Sequence, residues 1–114
     1  MPHYLLHASY TAQGFSGLVK TPEDRSTVIG ALVESIGGRI ESFYNTFGDS
    51  DAVVIMEMPD NVAMTAFLMA VGASGAVTIV RTTVLIPTSE GVEAARKAAG
   101  MSYRPPGLPS SLAP

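Results

Sequence analysis

Strand-like runs rich in β-branched and aromatic residues take turns along this chain with stretches that read as helix, and that order constrains the fold most. Period two lines one face of a strand, and a period near 3.6 lines one stripe of a helix. From His3 to Thr11, Tyr4, Leu6, Ala8 and Tyr10 share one strand face, and His3, Leu5, His7 and Ser9 share the other. Gln13-Gly14-Phe15 breaks the pattern. Thr21-Pro22-Glu23-Asp24 then reads as a helix start, with a hydroxyl N-cap, proline at the first helical position and acids in the first turn. Val28, Ile29, Leu32, Val33 and Ile36 form the stripe of that helix, and Gly37-Gly38 supplies its left-handed end.

Two strand-like runs follow, Arg39 to Phe47 and Asp51 to Met58, joined by Gly48-Asp49-Ser50 with the residues of a tight hairpin turn. Pro59-Asp60-Asn61 opens a second helix, apolar nearly all round from Val62 to Val71 and so expected to be covered on two sides. Ala76 to Ile86 is the last strand, with Thr78, Val80, Thr82, Val84 and Ile86 as one β-branched row, stopped by Pro87. A third helix from about Ser89 to Ala99 has Glu90 near its start and Arg96 and Lys97 near its end, as the helix dipole favours. Its thin apolar face places it at the periphery. The tail from Met101 to Pro114 is proline-rich, with Tyr103 and Leu108 as anchors if it lies over a neighbour.

Two β-α-β units with right-handed crossovers give an α+β, ferredoxin-like β-α-β-β-α-β domain over residues 1–100, followed by the tail at 101–114. Its four-stranded antiparallel sheet has the first and third strands in the middle and the second and last at the edges. The last strand is long and carries a single charge, Arg81, so as a bare edge it invites pairing with another chain. Another subunit or the tail is expected to cover it.

At 114 residues the chain can bury one core and not two. Apolar residues make up 46% of it and charged residues 15%, an oily balance that leaves surface for a partner. The net charge is −3 and the cations are scattered, which argues against nucleic acid. Without cysteine there is no disulfide, thiolate nucleophile or Cys-based metal site. No apolar stretch suited to a helix reaches the roughly 20 residues of a membrane span, and a cytoplasmic location is expected from the absence of a secretory leader pattern.

Gly37-Gly38-Arg39, the run Phe43-Tyr44-Asn45-Thr46-Phe47-Gly48-Asp49-Ser50-Asp51, Pro59-Asp60 and Val80-Arg81-Thr82-Thr83 together resemble the GYD-domain family of small prokaryotic proteins, over roughly residues 1–98. The resemblance implies a ferredoxin-like fold related to the dimeric α/β barrels, and no defined chemistry. Where the signature has glycine, any residue, tyrosine and aspartate, this chain has Gly48-Asp49-Ser50-Asp51, with serine in the tyrosine position. Gly48 and Asp51 are explained by hairpin geometry, glycine for positive φ and aspartate for hydrogen bonds to turn amides.

The candidate catalytic residues are His7, Glu57 and Arg81. His7 is expected to meet Glu57 across the sheet as a His–carboxylate pair, and Arg81 and Glu57, both inside apolar strands, are expected to be paired if buried. Tyr10, Tyr44, Asn45 and Asp51 are the candidate ligand contacts. His3 and His7 lie roughly 13 Å apart along one strand and cannot chelate one metal, and Met56 and Met58 read as core filling. No metal or cofactor is expected. These residues point first to a small-molecule-binding or regulatory module, a homodimer or higher oligomer with a small apolar or aromatic ligand between sheet and helices. The alternatives are a cofactor-free oxygenase or isomerase of the dimeric α/β-barrel type, with His7 as base and Arg81 at an oxyanion, and a purely structural oligomerising subunit.

Overall fold

The computed structural model describes residues 1–107. Its elements are β1 (His3–Tyr10), α1 (Ala12–Lys20), α2 (Arg25–Ser35), β2 (Arg39–Asn45), β3 (Ala52–Glu57), α3 (Asn61–Ala73), β4 (Val77–Leu85) and α4 (Thr88–Ala99). The strands form one antiparallel sheet in the order β2-β3-β1-β4, with the first and third strands central. This α+β arrangement is compatible with a ferredoxin-like unit. No helix among the described residues is long and apolar enough to cross a membrane.

Alternation along the central strands sets the core. Tyr4, Leu6 and Ala8 of β1 and Ala52, Val54 and Met56 of β3 are buried, while the residues between them are half-exposed. Val33 of α2 and Met64 and Phe67 of α3 close over the buried side, each side chain contributing about 1.5–3 kcal/mol of transfer free energy. Met56 and Met58 are sealed in this layer as packing residues. The Tyr4 hydroxyl escapes desolvation without a partner by donating to the Asn61 side chain.

Four local expectations are corrected. The segment after β1 is the helix α1, not a break: Thr11 caps it by accepting from the Gly14 amide at 3.1 Å, and its own amide and hydroxyl bind the carbonyls of Ala76 and Gly75. Two glycines in a nine-residue helix argue against helix by propensity, and tertiary contact overrides them. Gly14 packs so closely on the Ala76 carbonyl that no side chain fits there. Thr21 is consequently the C-cap of α1, donating its amide to Gly17, and the N-cap of α2 is Asp24, three residues later, whose carboxylate accepts from the Ser26 amide and hydroxyl. The end of α2 is as expected, since Gly37 has φ +86° and the amides of Gly37 and Gly38 return to Glu34 and Val33 as a Schellman motif.

The third correction concerns α3, which among the described residues is covered on one side only. Its N-cap Asp60 accepts from the Ala63 amide, and Met64 and Phe67 face the core, but Val62 is 78% and Met69 70% exposed. The β4 row is also interrupted. A bulge opposite His7 and Ala8 inserts Val80, so Val77 and Ile79 join Thr82 and Val84 on the helix side, and Arg81 turns to the other face beside His7. Val84 and Ile86 stay exposed, and every residue of α4 is exposed as well, so α4 is peripheral as its thin apolar face implies. Leu108 lies outside the described residues.

Candidate functional site

The sheet separates the candidate residues into two groups. Its bare face carries His3, Leu5 and His7 of β1, Val53, Ile55 and Glu57 of β3, and Arg81 of β4. Its helix-covered face carries Tyr10, Ala8 and Leu6, with Asn45 of β2 at the same end.

On the bare face, strand register overturns the expected catalytic grouping. His3 pairs with Glu57, and His7 pairs with Val53, so Glu57 lies roughly 13 Å from His7 along the strand direction. An antiparallel register is set by the hairpins and bulges at both edges, which four-residue differences in sequence position do not reveal. Glu57 is engaged by His3 Nε2 at 3.2 Å and by Arg39 at 2.8 Å, while His3 Nδ1 meets Glu41 at 3.1 Å. Arg81 is therefore not the partner of Glu57. It reaches His7, with Nη2 and Nε2 3.4 Å apart, and His7 Nδ1 stands 3.4 Å from the Ser50 hydroxyl. Because a guanidinium only donates, a hydrogen bond from Arg81 engages the Nε2 lone pair, with Nδ1 facing the Ser50 hydroxyl.

His3, Glu41 and Glu57 bring one ligand atom each within 4.8 Å of one another, the only such grouping among the described residues. Arg39 joins these three side chains in one polar cluster. The two carboxylates approach different nitrogens of one ring, and Arg39 already supplies a cation between them, 2.8 Å from Glu57 and 3.7 Å from Glu41.

On the helix-covered face an apolar cavity of about 40 Å³ lies between the sheet and the helices α2 and α3, walled by residues such as Leu6, Val54, Phe67 and Val71. Tyr10 and Arg25 line it and also line two open clefts of about 310 and 330 Å³. They form its polar mouth. Burial pushes the Tyr10 phenol above its ordinary value and Asp51 adds to this, against a downward pull from Arg25, so the hydroxyl remains a donor at neutral pH. The Tyr10 ring is held edge-on by Phe15 at 5.4 Å, and Arg25 is paired with Glu23 at 2.6 Å.

Of the expected ligand contacts, Tyr10 and Asn45 meet in one cleft, and Asp51 joins them by accepting the Tyr10 amide at 3.0 Å. Asp51 therefore ties the hairpin to β1, where turn-internal hydrogen bonds were expected. Tyr44 does not belong, because it pairs with Val53 on the bare face and is 67% exposed. A bulge at Glu41 sets that face, and the sequence carries no mark of it. Arg25 was missed because a lone cation at a helix start looks like any solvated residue, and Ser50 because a buried hairpin serine is unusual.

Comparison with known proteins matches the GYD domain family model over residues 4–95. No curated protein and no solved structure matches the chain. The matched span runs from β1 through most of α4 and takes in His7, Glu57 and Arg81 as well as Tyr10, Asn45 and Asp51, and the chain belongs to the GYD domain family.

Proposed function

We propose that the protein is a small-molecule-binding module whose ligand enters between the sheet and the helices α2 and α3. One observation carries this reading: an apolar cavity opens at Tyr10 and Arg25, and those two residues also line the open clefts beside it. Binding sites combine apolar walls with a few converging polar groups in this way. Size narrows the ligand. A cavity near 150 Å³ is needed to admit benzene, whereas about 40 Å³ holds a short alkyl group, so the ligand pairs a compact apolar end with a polar head at the mouth. Self-association through the bare sheet face, where Leu5, Val53 and Ile55 lie half-exposed between the two charged clusters, belongs to the same reading.

Native mass spectrometry of the purified chain tests it. The expected result is a small adduct on the wild type that Val71→Phe, which fills the cavity, abolishes without loss of β-sheet signal. An adduct of equal occupancy in both proteins contradicts it.

A second reading rests on the His7–Arg81–Ser50 contacts. An anionic substrate that draws Arg81 away from His7 frees Nε2 as a base, as a cofactor-free oxygenase or isomerase requires. Under that reading His7→Ala retains binding and loses turnover of the bound molecule.

A further inference from the structure

Two apolar helix faces lack a partner among the described residues, and their dimensions match. One belongs to α3: Val62, Thr65, Ala66 and Met69 line an open groove of about 350 Å³ on the side away from the core. No charged residue occurs anywhere in α3. The other belongs to α4, where Val92, Ala95 and Ala99 recur at spacings of three and four and every residue is exposed. Twelve helical residues that bury nothing gain no packing energy to offset their ordering, and isolated helices of that length are marginal in water. The molecule is correspondingly drawn out. Its extents are 68 × 29 × 22 Å and its radius of gyration is 19.4 Å, against about 13 Å for a compact domain of this size.

We infer that α4 docks antiparallel along the α3 groove of a second copy of this chain. Antiparallel packing sets the small residues Ala95 and Ala99 against Ala66 and Val62, and Val92 against Met69, over a seam of about 10 Å on each helix. It also brings Arg96 and Lys97 toward Asp60 at the start of α3 and opposes the two helix dipoles favourably. A parallel arrangement places those cations beside the uncharged end of α3 and loses both effects. In a two-fold pair the seam forms twice, but about two helical turns at each seam are small against the roughly 1,200 Å² of a stable interface, so it acts together with another contact such as the bare sheet face. The inference does not depend on the cavity.

The chain has no cysteine, which makes disulfide trapping clean. Full-length Met69→Cys and Val92→Cys chains, each at an exposed position, are mixed in equal amounts under mild oxidation. The expected product is the mixed disulfide linking the two variants, as nearly all of the cross-linked material, where random pairing gives one half. Random proportions, or no disulfide from two folded variants, overturn the inference. So does a monomeric internal disulfide in the Met69→Cys/Val92→Cys double variant, which means that α4 folds back on its own α3.

Discussion

Gly38 shows how tightly single residues are held where α2 turns into β2. A Cβ there meets the Glu57 carbonyl at 2.6 Å, the Met58 sulfur at 2.6 Å and Val33 at 2.9 Å. Gly38→Ala is therefore expected to cost about 1–3 kcal/mol by overpacking, read as a lowered urea midpoint. Asp24 carries a pH dependence. Hydrogen bonds from the Ser26 hydroxyl and then its amide hold its carboxyl below the ordinary aspartate value. A depressed folded-state value means that the cap's contribution is complete above the ordinary aspartate range and disappears as pH falls through the folded value. The stability gap between the wild type and Asp24→Ala is thus expected to be present at neutral pH and to close in acid, as two urea titrations will report. At His7, Arg81→Met should leave the Ser50 hydroxyl as the one ring contact of the two, read as a change confined to the Nε2 resonance.

Among the elements, legibility follows how locally each is specified. β1 announces itself by its alternation, β3 and α3 by apolar runs with clear ends, and the hairpin by Gly48, which has φ +117°. The helix α1 does not, because two glycines outweigh its pattern and its support comes from Gly75 and Ala76, more than sixty residues away. Thr11→Ala should cost about 0.5–2 kcal/mol, since the hydroxyl both caps α1 and binds the Gly75 carbonyl. The bulges at Glu41 and Val80 are equally silent in sequence, yet they decide which way Tyr44 and Arg81 point. The candidate site was accordingly half legible: Tyr10 and Asn45 were found by residue type, while the partners of His7 and Glu57 followed from register alone.

At the scale of the whole molecule, strand order and family membership were readable because both rest on patterns spread along the chain. The division of the sheet into a bare charged face and a covered apolar one depends on which way each strand's alternation points. That division is what separates the apolar cavity at Tyr10 and Arg25 from the polar clusters at His3 and His7. Xenon enters dry apolar cavities and serves as a probe of the first. Under xenon pressure, methyl resonances of Leu6, Val54, Val71 and Val77 are expected to shift together and saturably, with Leu5 and Val53 on the bare face unmoved. Shifts confined to the bare face or to the α3 groove, with those four residues silent, contradict a binding site between sheet and helices.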